Sequence, residues 1–176
     1  MPKGWKKAGV SASAAARANA ESDAKKIIAR NRRASHDYAL EERFEAGLSL
    51  RGTEVKALRM GRASLAESWI EIEGGEAWLQ HAHIPEYVNG SWTNHVPYRK
   101  RKLLLHSAEI ARLERGVQAK GYTIVPLELY FVRGRAKLSL ALARGKQEWD
   151  KRQTLRQKQD NREAQRAMRD FQKGLS

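Results

Sequence analysis

Several groups of residues in this chain have types and spacings that invite chemistry, and most of those groups are incomplete. His81 and His83 stand two apart, so on a strand they would share a face as a metal pair does, but no third ligand is near and Glu86 follows a proline. His36-Asp37 offers the base and the orienting acid of a triad, yet no serine stands in a nucleophile-elbow setting and the chain has no cysteine. Gly145-Lys146 lacks the upstream glycine and the following Ser or Thr of a phosphate-binding loop. Glu41, Glu42 and Glu45 form an acidic cluster that reads mostly as solvated strand residues. The cationic runs are better furnished. Asn31-Arg32-Arg33-Ala34 is one, Arg99-Lys100-Arg101-Lys102 leading into Leu103-Leu104-Leu105 is another, and Arg133, Arg135 and Lys137 make a third. Lys and Arg pair with phosphate, and an apolar side chain beside them packs on an unstacked base. The chemistry expected is nucleic-acid binding rather than catalysis, with no metal and no cofactor.

The charge distribution agrees. Among 176 residues, 34 Lys and Arg face 20 Asp and Glu, for a net charge of +14 and a pI of about 10.3. Residues 1–35 carry a net +7 and residues 144–176 a net +5, which leaves only +2 on residues 36–143. A near-neutral core avoids self-repulsion while basic ends follow a phosphate backbone. Without cysteine there are no disulfides, thiol nucleophiles or Cys-ligated zinc. No run approaches the roughly 18 apolar residues of a membrane span, and the first 30 residues hold no apolar signal-type segment. The expectation is a soluble cytoplasmic protein with a polyanionic partner and no membrane association.

These side chains must be positioned by a small β scaffold. Ser68 to Glu73 partly alternates polar and apolar, Gly74-Gly75 offers a hairpin turn, and Ala77 to Gln80 returns. Trp69 and Trp78 read as core, and Asn89-Gly90 marks a further turn. Tyr122 to Val132 is β-branched and aromatic, and Pro126 within it predicts an edge strand or a bulge. Arg133-Gly134 turns the chain into the alternating Lys137 to Leu142. Short strands at this spacing predict a mainly β fold, a small antiparallel barrel. One helix is expected from an N-cap at Ser107 to Gly121, and a shorter one near Thr53 to Met60. Residues 1–26 read as a disordered basic arm, 27–143 as the barrel, and 144–176 as a basic tail. In the tail Ala164, Ala167, Met168, Phe171 and Leu175 form one thin helical stripe, which predicts disorder or a helix formed on a partner.

A family resemblance becomes specific along ordered motifs. Asn31-Arg32-Arg33-Ala34, His36-Asp37-Tyr38, Phe44-Glu45-Ala46-Gly47 and Gly52-Thr53-Glu54-Val55-Lys56-Ala57-Leu58-Arg59 open the series. Arg101-Lys102-Leu103-Leu104-Leu105, Gly121-Tyr122-Thr123 and Gly145-Lys146-Gln147-Glu148-Trp149-Asp150-Lys151-Arg152 complete it. Over residues 31–152 the chain resembles SmpB, the SsrA-binding protein family of bacteria. The resemblance implies an oligonucleotide-binding-like barrel with short flanking helices and a tail that is helical on the ribosome. It implies a non-enzymatic partner of transfer-messenger RNA (tmRNA, SsrA RNA) in trans-translation. Such a protein binds the tRNA-like domain, enters with elongation factor Tu at the A site of a stalled ribosome, and places its tail past the small-subunit decoding centre in the empty mRNA channel. The nascent peptide is tagged and the ribosome rescued.

Carried onto this sequence, the resemblance implies an RNA face of Asn31, Arg32, Arg33, Glu45, Arg101, Lys102, Leu104 and Lys137, and a ribosome-contacting tail segment of Gly145, Lys146, Trp149, Asp150, Lys151 and Arg152. Glu45 would accept from a 2′-hydroxyl or base amine, and Leu104 would pack on an unstacked base. Three adjacent leucines cannot all face one way in a strand, so a core position is the competing reading for Leu104. Gln147 stands where the family usually has a second lysine, and Trp149 where it often has His or Tyr. The rival reading is a generic structured-RNA-binding or ribosome-assembly protein on the same barrel.

Overall fold

The computed structural model describes residues 24–173, so the stretch read as a disordered arm lies outside the described residues up to Asp23, as does Leu175 of the helical stripe. Seven strands run β1 (Lys26–Arg30), β2 (Tyr38–Leu48), β3 (Trp69–Glu73), β4 (Glu76–Gln80), β5 (Arg101–Leu104), β6 (Tyr122–Val132) and β7 (Arg135–Gly145). They are joined or flanked by helices α1 (Ala34–Asp37), α2 (Gly52–Arg59), α3 (Ser107–Val117) and α4 (Glu148–Lys173). Strand order is β1-β6-β3-β4-β5-β2-β7, and β6 also pairs with β7. The six strands other than β1 therefore close into a ring, and every pairing is antiparallel. The expected mainly β antiparallel barrel is what the chain forms.

Alternation builds the core. Phe44 and Ala46 of β2, Ile70 of β3, Ala77 and Leu79 of β4, Leu103 of β5, Ile124 and Leu129 of β6 and Leu138 and Leu140 of β7 all point inward. Ala57 and Leu58 of α2 and Leu113 of α3 join the same core. Trp69 and Trp78 are not core: the inward positions of their hairpin belong to Ile70, Ala77 and Leu79, so Trp69 is 47% exposed and Trp78 half-buried. Gly74 and Gly75 turn that hairpin at φ of 58° and 74°, a left-handed pair that glycine adopts without a Cβ clash.

Pro126 marks a bulge and not an edge. The β6–β7 register shifts between Pro126 and Glu128. On the other side of β6, β1 pairs over Glu128 to Phe131 and β3 only at Ile124, so Pro126 falls between them, where its missing N–H breaks no rung. Its carbonyl accepts the Asn31 side-chain amide at 3.1 Å. The helix expected to be capped by Ser107 is capped by His106 instead, whose backbone N–H donates to Glu109 Oε2 at 2.9 Å in a capping box. It ends at Val117, and Gly121, at φ 83°, turns the chain into β6 rather than closing the helix.

The tail forms one continuous helix of 26 residues. From Leu155 to Lys173 every residue is exposed, including Met168 and Phe171 of the expected stripe.

Candidate nucleic-acid interface

The outer face of β5, β2, β7 and β6 gathers the candidate residues in register. Leu104, Gly47, Lys137 and Tyr130 are successive partners across those four strands. Two residues along, Glu45, Ser139 and Glu128 make the next row, which Arg30 of β1 extends. Because side chains alternate, the residues between these rows are the inward Ala46, Leu138 and Leu129. The same pleat that buries Leu103 turns Leu104 outward, and it is 55% exposed. Leu104 therefore lies on the surface. Gly47 leaves the space beside it open, since a Cβ there would meet Leu104 Cβ at 3.4 Å. A groove of about 370 Å³ opens at this row, walled by Leu48, Leu50, Val55 and Phe131 with Lys137 beside them.

Charge on this face is paired and fixed. Glu45 Oε1 accepts from Lys137 Nζ at 2.5 Å and Oε2 accepts from the Tyr130 hydroxyl. The hydrogen bond from Lys137, then that from Tyr130, hold the Glu45 carboxyl below the ordinary glutamate value. Burial and then Glu45 push the Tyr130 hydroxyl well up, so it stays a donor. Lys25 lies 4.0 Å from the Tyr130 ring centroid and donates to Glu128 at 2.5 Å; Arg30 approaches the same carboxylate at 3.2 Å. At that end a second cleft of about 300 Å³ is lined by Asn31 and four cations: Lys25, Arg30, Arg32 and Arg43. The Asn31 backbone N–H donates to Leu127 O at 2.8 Å, which fixes the turn carrying Arg32 and Arg33. Arg32 and Arg33 are both exposed, but Arg33 borders different clefts.

Arg101 is displaced from the expected face. It is fully buried, with Nε donating to Glu54 Oε1 at 2.8 Å and the rest of its guanidinium donating to the carbonyls of Ala82, Arg99 and Pro97. Its neighbours in the basic run are also committed: Arg99 binds Glu54, Lys100 pairs with Glu73 and Lys102 with Glu76. Lys102 shares the outward side of β5 with Leu104 and stands opposite Trp78. The run of four cations is thus one buried structural residue and three ion-paired ones. His81 and His83 do not share a strand face, because His81 sits at φ 58° just after β4. Among the described residues no His, Cys, Asp and Glu group is placed to hold a metal ion.

The tail segment forms its own cluster at the root of α4. Gly145 closes β7 opposite Tyr38. The Lys146 backbone N–H donates to Asp37 O at 2.9 Å, and its Nζ donates to Ser35 O at 3.0 Å and Thr154 Oγ1 at 3.2 Å. Thr154 Oγ1 in turn donates to Asp150 O at 2.9 Å. His36 Nδ1 lies 2.7 Å from Asp37 Oδ1, and that contact, reinforced by the charges of Lys151 and Arg33, holds the Asp37 carboxyl below its ordinary value. Asp150 borders a small cleft with Arg144, Gly145 and Gln147, while Arg152 points outward, 3.9 Å from Glu148. Lys146 is therefore a tie between α1 and α4.

The chain has relatives among known proteins. The sequence pattern of the SmpB protein family matches residues 28–170. The chain belongs to the SmpB family. It is 66% identical over 145 residues to an SsrA-binding protein of Bifidobacterium adolescentis, covering 82% of this chain and 91% of that protein. An SsrA-binding protein of Streptomyces coelicolor is 59% identical over 149 residues, covering 85% and 94%. A solved structure described as "tmRNA-SmpB: a journey to the center of the bacterial ribosome" superposes with a TM-score of 0.58 at 51% identity, covering 68% of this chain and 84% of that one.

In this SmpB family member the register adds residues that the sequence reading passed over: Tyr130, Lys25, Arg30, Arg43 and Glu128. Glu128 carries a legible signal, being a carboxylate in a run, Ile124 to Phe131, whose other residues are all buried, Tyr130 among them. The positions of Lys25, Arg30 and Arg43 depend on which strands become neighbours, which local pattern does not state.

Proposed function

We propose that the chain is an RNA-binding protein of trans-translation, and that its outer β5-β2-β7-β6 face takes the tRNA-like domain of tmRNA. The observation that carries this is the row Leu104, Gly47, Lys137 and Tyr130 with Glu45 behind it. It sets an exposed apolar side chain, a cation and a fixed carboxylate side by side on a rigid sheet. Structured RNA is read by shape, 2′-hydroxyls and unstacked bases, and such a surface is preformed for that task. In this reading Leu104 packs on a base, Lys137 exchanges Glu45 for a phosphate, and Glu45 accepts from a 2′-hydroxyl or a base amine. Asn31 and Arg32 hold the backbone at the far cleft, and Lys102 steers at the margin. Arg101 acts only by holding β5 in place.

The barrel and the tail divide the work. The barrel supports delivery with elongation factor Tu to the A site of a stalled ribosome. The tail follows the empty mRNA channel beyond the decoding centre, and at 26 residues α4 spans about 39 Å at 1.5 Å per residue. Its all-round polarity, with a stripe of only Ala164, Ala167, Met168 and Phe171, suits an RNA-walled channel better than a protein core. Asp150, Lys151, Arg152 and Trp149 would meet ribosomal RNA at its root. The role is binding, exercised in the cytoplasm, with no cofactor.

The test is recovery of the tagged chain from bacterial cells and sequencing of the bound RNA. One dominant RNA with a tRNA-like end is the expected result. A broad mixture of structured RNAs at similar abundance would favour a generic RNA-binding role and overturn the reading.

A further inference from the structure

Across the ring from β2 and β7, where β3 begins and β4 ends, three exposed rings form a stack. Trp69 and His81 lie 5.9 Å apart with their planes at 22°, and His81 and Tyr98 lie 4.8 Å apart at 24°. Trp69 is 47% and Tyr98 52% exposed. His83 tilts against Tyr98 at 4.9 Å. Exposed rings usually scatter; these are held in order. His81 sits at φ 58°, a conformation that disfavours any side chain with a Cβ. Backbone strain of this kind persists where the surroundings impose it, and here it coincides with the middle ring's place between the other two. Tyr98 is fixed by its neighbour: the Pro97 carbonyl accepts from Ile84 N at 3.1 Å and from buried Arg101 at 2.9 Å. The Ser64–His83 bridge pins the far end.

Beside Trp69 lies a cleft of about 160 Å³ that it shares with Arg33, Asp37, Tyr38 and Glu67. That is below the roughly 300 Å³ of small-molecule pockets, so it suits one planar ring. Asn31 borders both this cleft and the one on the proposed RNA face, but of the two adjacent arginines only Arg32 lines that one and only Arg33 lines this one. A stacked aromatic platform, a cleft one ring in size, and Arg33 at its edge make up the chemistry of base capture, with the carboxylates of Asp37 and Glu67 able to accept from a base amine or a 2′-hydroxyl.

We infer that Trp69, backed by His81 and Tyr98, is a second RNA site, which stacks one unpaired nucleobase while Arg33 meets the adjoining phosphate. The aromatic stack lies on β3, β4 and the segment after it, off the β5-β2-β7-β6 face, while its cleft is bordered by Asn31 and by Tyr38 of β2; the site does not depend on which structured RNA that face binds. Its ligand is a single-stranded segment, so the protein holds two RNA elements at once.

The probe is a single-stranded RNA nonamer with one central 2-aminopurine, whose fluorescence is quenched on stacking, titrated with the full chain. The wild-type chain quenches it. Trp69→Leu keeps an apolar cover on β3 and weakens binding about 5- to 150-fold, the range of one lost base–aromatic stack. Trp69→Phe retains most of the quenching. His81→Gly removes the middle ring and relieves the strained φ, so this variant melts no earlier than wild type and still binds the nonamer more weakly. Affinity of both Trp69→Leu and His81→Gly for a structured tRNA-like RNA stays within about twofold of wild type. Wild-type quenching by Trp69→Leu, or equal affinity for a nonamer abasic at the central position, would overturn the inference. If Trp69→Leu unfolds, His81→Gly decides alone: undiminished binding by that variant overturns it.

Discussion

Arg101 separates two readings of the basic run, and the structure sets the size of the difference. The residue is fully buried and serves four acceptors: Glu54 Oε1 and the carbonyls of Ala82, Arg99 and Pro97, all at 2.7 to 2.9 Å. Arg101→Met leaves the Ala82 and Arg99 carbonyls without this donor, while Pro97 O keeps the Ile84 N–H, and an unsatisfied buried polar group costs about 1–3 kcal/mol. Glu54 is not stranded, because Arg99 and the Arg51 backbone N–H still donate to it at 2.7 Å. The total should therefore fall near the ~3–5 kcal/mol of breaking a buried ion pair and not well above it. Against a typical ~5–15 kcal/mol of domain stability this is a large fraction. Arg101→Lys should recover little, since one ammonium does not reproduce a planar fork serving four oxygens. Equilibrium urea unfolding reads the loss as a midpoint lowered by roughly 2 M, while the folded variant binds tRNA-like RNA within about twofold of wild type. A midpoint shift under roughly 0.5 M, or a tenfold loss of affinity at unchanged stability, would refute the reasoning. Acid adds a second check. Burial alone would raise the Glu54 carboxyl, but Arg99, the Arg51 N–H and Arg101 outweigh it and hold it below the ordinary glutamate value. A depressed carboxylate contributes stability that is present above its unfolded pKa, about 4.3, and is lost as pH falls through the folded value. Wild-type stability should fall below about pH 4 through this group, and Glu54→Gln, less stable at pH 7, should lose that part of the slope.

Three other outcomes are expected. Glu45→Ala breaks a half-exposed pair with Lys137, so the barrel should lose under about 1 kcal/mol while affinity for tRNA-like RNA falls by ~1–3 kcal/mol; thermal melting and titration check both, and an early melt that tracks the binding loss would make Glu45 structural. A chain ending at Gln147 keeps β7 and the Lys146–Ser35 tie, so it should fold and bind tmRNA yet fail to add tags in a reconstituted stalled-translation assay, as should the joint replacement of Asp150, Lys151 and Arg152 by alanine; full tagging would sink the tail mechanism. Affinity should fall with salt on a log–log slope of roughly −0.7 to −0.9 per neutralised phosphate, and a slope near zero would exclude contact by the basic ends.

The hairpin at Gly74-Gly75, the turn at Arg133-Gly134 and the alternating β7 were legible because local pattern decides them. The misreadings share a cause, which is that burial belongs to strand neighbours. Trp69 and Trp78 look like core by type, but smaller Ile70, Ala77 and Leu79 hold the inward register. Arg101 looks like a surface cation until Glu54, 47 positions away, comes to lie beneath it. Pro126 looks like an edge marker until β1 and β3 are seen to share one side of β6 and leave a gap at that residue. Leu104 was undecidable among three leucines and became exposed once Leu103 was paired with Leu48 and buried.

The division of charge follows from the same geometry. On the barrel face, Lys137 answers Glu45, while Lys25 and Arg30 answer Glu128. Those pairs cancel at a distance: Lys137 and Glu45 cancel within residues 36–143, which carry only +2, whereas Lys25 and Arg30 belong to the N-terminal end and offset part of its +7 against Glu128. Long-range attraction to a polyanion therefore resides in the ends, where it is screened within about 8–10 Å at ordinary ionic strength. The paired face contributes little field but holds its cations and carboxylates at fixed positions, and fixed positions are what shape recognition of RNA requires. Raising salt should thus weaken binding steeply while leaving discrimination between tRNA-like and unrelated structured RNAs largely intact, because the two properties are carried by different parts of the chain.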